Sequence, residues 1–133
     1  MYMEEILKYL KECGTFYLAT IDGDQPRVRP FGAVCAFEEK LYIITNNKKP
    51  VFQQMLKNPK VEISGMSKGT FIRLECEVVP DDRREARVAM MEEYPGALSK
   101  MYSVDDNKME VLYLKNAKAS INTLTGESKV IEF

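Results

Sequence analysis

Short apolar segments separated by tight turns restrict this chain to a mainly antiparallel β architecture. Each segment has the apolar, aromatic and β-branched composition that is typical of a strand. Turns as short as Asp22-Gly23-Asp24 join antiparallel strands, because parallel strands need a crossover of about a dozen residues or more. The predicted strands lie at residues 16–21, 27–37, 41–45, 60–66 and 70–79, followed by apolar runs at 110–114 and 119–124 and an edge strand or tail at 129–133. The first three strands are expected to form a meander.

Helices are predicted at three places along the chain. Apolar residues recur with helical spacing in the first dozen residues, and Gly14 is expected to end that helix. A second helix of two turns begins at Pro50, and a third runs from Asp81 to about Glu93. Strands joined by short turns, with helices inserted between some of them, fit a closed or partly closed antiparallel barrel. We expect one such domain over residues 1–133.

The absence of histidine excludes several classes of catalytic and metal site. Without an imidazole there is no Ser-His-Asp or Cys-His catalysis, no His-ligated zinc and no His-ligated haem iron. The cysteines Cys13, Cys35 and Cys76 are widely spaced and include no Cys-x-x-Cys pair. This pattern favours small core residues with reduced thiols over a disulfide framework or a metal site, and it is typical of the cytoplasm.

Charge and hydropathy exclude two kinds of partner. With 19 Lys and Arg residues against 20 Asp and Glu residues, the net charge of −1 provides no bulk positive field for a nucleic-acid backbone or an anionic membrane. No stretch approaches the ~20 apolar residues of a membrane span, and the N-terminus carries Glu4 and Glu5 where a signal peptide has basic residues. We therefore expect a cytoplasmic protein that binds neither nucleic acid nor membrane.

Two lysines lie where the second predicted helix begins. Free backbone N–H groups and the helix dipole make that end positive, so Lys48 and Lys49 are unfavourable there unless an anion is bound. A phosphate could accept hydrogen bonds from the first-turn N–H groups, the Thr45 hydroxyl, the Asn46 amide and one or both lysines. The alternative is a solvated loop whose lysines point into water.

The second predicted strand carries another candidate anion site. Its period of two places Arg27 and Arg29 on one face, as a solvated sheet surface or as part of an anion clamp. Pro30 removes a ladder donor and Gly32 leaves the backbone uncovered, which is typical of an edge or of a place where a flat molecule lies against the main chain. If the second and third strands are neighbours, Arg29 comes near the Thr45 end of the sheet.

Four stretches of the sequence carry a family resemblance. They are residues 17–20 (Tyr-Leu-Ala-Thr), 26–32 (Pro-Arg-Val-Arg-Pro-Phe-Gly), 41–49 (Leu-Tyr-Ile-Ile-Thr-Asn-Asn-Lys-Lys) and 54–62 (Gln-Met-Leu-Lys-Asn-Pro-Lys-Val-Glu). In their order and spacing, the chain resembles over nearly its whole length the pyridoxamine 5′-phosphate oxidase-like FMN-binding split-barrel family, especially its short single-domain NimA/NimC-like members. The resemblance implies a split β-barrel, a homodimer and FMN bound at the dimer interface in two equivalent sites.

The resemblance also implies which residues contact the cofactor. They are Arg29, Pro30, Phe31, Gly32, Thr45, Asn46, Lys48 and Lys49. The first four correspond to the strand under the flavin ring, with the arginine reaching the phosphate, the next two to ribityl and phosphate contacts, and the lysines to the basic phosphate grip. Many members have a small hydroxyl residue at position 49 and a lysine at position 51, where this chain has Lys49 and Val51. Arg73 corresponds to a residue of the dimer face.

The resemblance assigns redox chemistry to the flavin, and no catalytic side chain is predicted. Oxidation of pyridoxamine phosphate is not expected, because residues 128–133 contain no counterpart of the substrate-binding Arg and His of the family's oxidases. The predicted function is that of an FMN-dependent oxidoreductase acting on a small molecule of the nitro or quinone kind. The alternatives are a non-catalytic FMN carrier or sensor, and a binder of another cofactor such as deazaflavin F420 or haem.

Overall fold

The computed structural model describes residues 2–133 and contains an antiparallel sheet with helices packed around it. The helices are α1 (Tyr2–Cys13), α2 (Pro50–Lys57) and α3 (Arg84–Glu93), followed by a short 3₁₀ helix (Leu98–Lys100). The strands are β1 (Phe16–Asp22), β2 (Gln25–Phe31), β3 (Val34–Phe37), β4 (Lys40–Asn46), β5 (Lys60–Ser67), β6 (Thr70–Asp81), β7 (Met109–Thr123) and β8 (Ser128–Glu132). Within these residues, no helix is both long and apolar enough to cross a membrane.

The strand order makes the sheet a split barrel. Neighbouring strands follow the order β2-β1-β5-β6-β7-β4-β3, with β8 paired to β7, and every pair is antiparallel. The two strands at the ends of this order, β2 and β3, are joined directly through Gly32 and Ala33. Because only two residues link them, the two ends of the sheet order are brought together. The predicted mainly β split barrel is confirmed.

The predicted strand at residues 27–37 is in fact two strands, and the predicted meander is wrong. β2 forms a hairpin with β1, whereas β3 forms a separate hairpin with β4. The other neighbour of β1 is β5, a strand about forty residues away along the chain. The break falls at Gly32-Ala33, where the chain leaves one end of the sheet order and enters the other. Alternating residues predict a strand, but they do not determine its partner.

The two apolar runs predicted at 110–114 and 119–124 form one strand, β7, of 15 residues. Its polar middle contains a β-bulge: Glu75 pairs with Lys118 but Glu77 pairs with Lys115, and Asn116 between those two lysines adopts a φ of 51°. A bulge tolerates polar residues because it locally interrupts the ladder. The last segment, for which the sequence predicts either an edge strand or a tail, is the edge strand β8. The third helix begins at Arg84, because β6 continues to Asp81.

Two apolar clusters meet at β4, which is buried on both faces as its near-continuous apolar run predicts. Leu41 and Ile43 belong to the main cluster, together with the inner residues of β1, β5 and β6 and the apolar side of α1. Tyr42 and Ile44 belong to a second cluster formed with α3, whose Met90 is fully buried. The end of β4 is therefore held rigidly between two packed layers.

A polar network on Asp81 fixes the start of α3. The Tyr42 hydroxyl donates to Asp81 Oδ2 at 2.7 Å, and Arg83 Nε and Nη2 donate to the same carboxylate at 3.0 and 2.9 Å. Arg83 also pairs with Glu38 at the turn between β3 and β4. Hydrogen bonds from Arg83, and then from Tyr42, lower the pKa of Asp81 to about 2 against the opposing effect of burial.

Replacing Asp81 by Asn is expected to reduce stability in a pH-dependent way. Because the pKa of the folded carboxyl lies below the ordinary 3.8, its ionised form stabilises the fold above about pH 4, and this contribution is lost as pH falls through about 2. We expect the free energy of unfolding of Asp81→Asn to be about 1–2 kcal/mol lower at pH 7. Urea denaturation at several pH values measures the difference, which should shrink toward acid pH. A pH-independent difference would contradict this account.

Candidate functional site

A cleft of about 320 Å³ opens beside the junction of β2 and β3. It is bounded by that junction, the end of β4, the start of α2 and the segment that follows α3. Its polar lining residues are Arg29, Thr45 and Lys49. Arg29 and Lys49 also line the same adjacent groove and so mark the polar end of the cleft, while the remaining wall is largely apolar. The apolar wall consists mainly of Phe31, Ala33, Ile44, Val51, Leu98 and Met101, with the aromatic rings of Tyr94 and Tyr102. A cleft with an apolar body and a cationic end suits a ligand that has an apolar body and an anionic group at one end.

Most of the residues that the sequence singled out converge on this cleft. Those that line it are Arg29, Pro30, Phe31, Gly32, Thr45 and Lys49. The other two, Asn46 and Lys48, do not line it: the Asn46 side-chain oxygen accepts a hydrogen bond from the Lys48 backbone N–H at 2.9 Å and closes the turn before α2. Of the two adjacent lysines, the structure therefore places Lys49 at the cleft.

Arg29 is held by neutral partners beneath the polar end of the cleft. Its Nη1 donates to the Leu18 carbonyl at 3.1 Å and to Thr20 Oγ1 at 2.8 Å, and its Nη2 donates to Gln54 Oε1 at 2.7 Å. The Thr20 hydroxyl donates in turn to Gln54 Oε1 at 2.5 Å. A strand of the sheet and a helix therefore jointly fix one guanidinium group.

Sequence reasoning missed the two side chains that hold this arginine. Thr20 is 2% exposed at an inward-facing position of β1, where its neighbours on that face are apolar, and Gln54 is 9% exposed on α2. A polar residue at a position where the pattern predicts an apolar one was the available signal, because a buried polar group needs a hydrogen-bonding partner. The sequence gives no indication that the two meet, since they lie 34 residues apart.

The polar end of the cleft carries positive charge that no carboxylate among residues 2–133 pairs with. Within residues 2–133, neither Arg29 nor Lys49 forms an ion pair, and the nearby carboxylate of Asp22 is bound to Arg27 at 3.2 Å. Burial, and then the charge of Arg27, lowers the pKa of Arg29 from its usual value. Two uncompensated cations at one end of a cleft favour an anionic ligand there.

The part of the wall that follows α3 is held in place by a tyrosine. The Tyr94 hydroxyl, just after α3, accepts from the Val34 backbone N–H and donates to the Val34 carbonyl, both at 3.1 Å. These bonds tie the segment after α3 to the first residue of β3. Tyr102 is half-buried beside Leu98, and burial, then the charge of Asp106, raises its pKa. The raised pKa keeps the Tyr102 hydroxyl uncharged near neutral pH, so this part of the wall offers the cleft apolar surface and a neutral hydroxyl group.

Gly32 is a glycine that the protein itself does not require. Its φ lies outside the left-handed region, and a Cβ added there would make only an ordinary contact, 3.8 Å from the Gly14 carbonyl oxygen. Packing and backbone conformation therefore leave room for a side chain. Because Gly32 lines the cleft, a molecule lying close against the main chain is a physical reason for glycine at this position.

Comparison with known proteins gives matches over nearly the whole chain. The family model described as pyridoxamine 5′-phosphate oxidase matches residues 2–121. A NimC/NimA family protein from Clostridium acetobutylicum is 53% identical, with a TM-score of 0.95, over 98% of this chain and 92% of that one. No curated protein matches the sequence.

More distant solved structures share the fold. A pyridoxamine 5′-phosphate oxidase-related, FMN-binding protein from Nostoc punctiforme is 16% identical, with a TM-score of 0.66, over 99% of this chain and 96% of that one. A haem-binding protein from Mycobacterium smegmatis is 12% identical, with a TM-score of 0.76, over 99% of this chain and 58% of that one. Together with the family match over residues 2–121, the architecture shows that this chain belongs to the pyridoxamine 5′-phosphate oxidase family.

Proposed function

We propose that this chain binds FMN in the cleft beside the β2–β3 junction. Arg29 and Lys49 would hold the phosphate, and Thr45 lies beside them as a further hydrogen-bonding group. The main chain at Gly32 and the apolar wall would hold the flat ring. The observation that carries the proposal is the pair of cations, Arg29 and Lys49, which have no ion-pair partner within residues 2–133 and line an otherwise largely apolar cleft. The FMN-binding relative from Nostoc punctiforme supports this choice of cofactor.

We further propose that two copies of the chain form a homodimer through the outer face of the sheet. This face, defined by Tyr17, Val28, Met66 and Val130, exposes between 49% and 67% of each of these apolar side chains. The pairing of Tyr17 with Pro30 makes the face continuous with the cleft, because Pro30 lines both. A second copy would cover this apolar surface and wall the open side of the cleft.

The activity we propose is that of an FMN-dependent oxidoreductase acting on a small nitro- or quinone-like compound. FMN supplies electron transfer when it is bound, so the protein's contribution is binding, orientation and exclusion of water. The wall formed by Leu98, Met101 and Tyr102 carries no charge near neutral pH. It therefore suits a flat, uncharged electron acceptor next to the ring.

The visible absorption spectrum of the purified protein tests the cofactor, and reduction by NADH or NADPH tests the activity. We expect flavin absorption bands that bleach on reduction and recover when a nitroaromatic or quinone acceptor is added. Bound FMN that neither nucleotide reduces would indicate a carrier or sensor instead. A colourless protein that takes up no added FMN would contradict the proposal. The absorption spectrum of haem or of a deazaflavin would show that the cleft binds that cofactor instead of FMN.

Replacing Gly32 by Ala is expected to weaken FMN binding while leaving the fold intact. The added methyl group meets no close contact within the described residues, and Gly32 itself lines the cleft. We expect the dissociation constant for FMN to rise about tenfold, with the free energy of unfolding of the apoprotein changed by less than about 0.5 kcal/mol. Gly96→Ala is the matched control, because Gly96 has open space around it and does not line the cleft. Equal FMN affinity in both variants would contradict a ring lying against Gly32.

A further inference from the structure

We propose that Thr20 and Gln54 are positioning residues that orient Arg29 toward an anion without neutralising its charge. The inference rests on the proposed FMN site, since it explains how that site holds a phosphate. Neither side chain needs to touch the cofactor to act in this way. Both side chains accept hydrogen bonds from the guanidinium group of Arg29. Thr20 does so from β1 and Gln54 from α2.

The hydrogen bonds of Arg29 leave part of its guanidinium group free. An arginine side chain has five N–H donors. The Nη1 group donates to the Leu18 carbonyl and to Thr20 Oγ1, and Nη2 donates to Gln54 Oε1. Within residues 2–133, the Nε–H and the second Nη2–H have no acceptor. Two donors on one rigidly held planar group are what bidentate recognition of a phosphate requires.

The direction of the hydrogen bonds in this cluster is determined by its chemistry. Arg29 can only donate, so Thr20 Oγ1 accepts from it and uses its single hydrogen to donate to Gln54. The Gln54 side chain must then present its oxygen to both Thr20 and Arg29. Thr20 and Gln54 are both buried, so their orientation is enforced by the cost of leaving either group unpaired.

The neutrality of both partners distinguishes positioning from simple structural support. A carboxylate at position 54 would bind the guanidinium group more strongly and would cancel its charge. An amide at this position fixes the orientation and leaves the charge available to a ligand. Arg29, Lys49 and Gln54 also line a shallow groove next to the cleft, together with the Arg27–Asp22 ion pair, so Arg29 faces accessible space while the nearby carboxylate is paired with Arg27.

Gln54→Glu is the sharpest test, because it keeps the shape of the side chain and adds a negative charge 2.7 Å from Nη2. We expect thermal stability at or above that of the wild type and an FMN dissociation constant raised about ten- to a hundredfold. Gln53→Glu, the same change at the exposed neighbouring residue, is the matched control and should change affinity less than about twofold. Titration of the flavin-free apoprotein of each variant with FMN measures the two dissociation constants.

Substitutions at Thr20 separate the role of its hydroxyl from that of its volume. Thr20→Val keeps the shape and removes the hydroxyl, whereas Thr20→Ser keeps the hydroxyl and removes a methyl group. We expect Thr20→Val to lose about tenfold in FMN affinity and Thr20→Ser to retain affinity within about threefold. If FMN affinity instead follows the thermal stability of the two variants, so that Thr20→Ser binds FMN more weakly than Thr20→Val, the positioning role is wrong.

The outcomes distinguish failure of this inference from failure of the proposed function. If the wild type binds FMN and Gln54→Glu binds it equally well, the positioning role is wrong and the FMN site stands. If the wild type binds no FMN, the proposed function fails, and titration with inorganic phosphate tests the positioning role alone. Phosphate that raises the melting temperature of the wild type but not of Gln54→Glu would support it, and any other result would overturn it.

Discussion

The double substitution Arg29→Met, Lys49→Met is expected to weaken FMN binding by about two to four orders of magnitude. Each cation contributes a charge-assisted hydrogen bond to the phosphate, worth about 1.5–3 kcal/mol, and 1.4 kcal/mol corresponds to about a tenfold change in affinity. Both residues lie at the same end of the cleft, and within residues 2–133 neither has a carboxylate partner that the substitution would leave unpaired. Quenching of flavin fluorescence on binding to the apoprotein measures the loss.

Lys48→Met is the control for this experiment. Lys48 carries the same charge one residue away but does not line the cleft. We expect its affinity for FMN to stay within about threefold of the wild type, because an exposed charge outside the site is largely screened by solvent. A double variant that binds FMN like the wild type, or a Lys48 variant as weak as a Lys49→Met variant, would contradict the assignment of the phosphate end.

The double substitution Val28→Lys, Met66→Lys is expected to convert the proposed dimer to a monomer. Both side chains are about two-thirds exposed in the single chain, at 67% and 64%, and lie on the outer face of the sheet. Burying an apolar side chain of this size contributes about 1.5–3 kcal/mol, and a dimer with two-fold symmetry loses each contribution twice. We expect the dimer dissociation constant to rise at least about a thousandfold. Sedimentation velocity over a range of concentrations measures this constant.

The same double variant should also lose FMN, because in the proposed dimer the second copy walls the cleft next to Pro30, where the outer face of the sheet meets the cleft. Leu56→Lys provides the control: Leu56 is 50% exposed, but it lies on α2 and not on the sheet face. We expect the Leu56 variant to remain dimeric and to bind FMN. A monomeric wild type that binds FMN tightly would show that one chain is sufficient, and it would contradict the dimeric part of the proposal.

Local features of the fold were predictable because they depend on neighbouring residues. The glycines at the end of α1 and in two hairpin turns, Gly14, Gly23 and Gly69, have φ values of 72°, 66° and 76°, which few other residues tolerate. Pairing between distant strands was not predictable in this way. The contact of β1 with β5 and the division of residues 27–37 into two strands depend on how the whole sheet closes, which no local pattern encodes.

In the candidate site, too, several residues could be identified from local sequence motifs, whereas the contacts between them depend on long-range packing. A single long second strand beside the third predicts that Arg29 converges with Thr45, Asn46, Lys48 and Lys49. The structure brings Thr45 and Lys49 to the cleft with Arg29, but by a different route. Only the later part of that segment, β3, pairs with β4, and Arg29 reaches the cleft from β2 across the Gly32-Ala33 link. The partnership of Thr20 with Gln54 depends on packing of α2 against the sheet, so it could be identified only in three dimensions.

Native mass spectrometry of the purified 133-residue chain tests cofactor binding and dimerisation in one experiment, since it reports the number of chains and the mass of any bound cofactor together. The account predicts a complex of two chains and two FMN molecules, and a complex of Arg29→Met, Lys49→Met that retains two chains but carries no FMN. A wild-type protein that carries no flavin, even after incubation with excess FMN, would contradict the account.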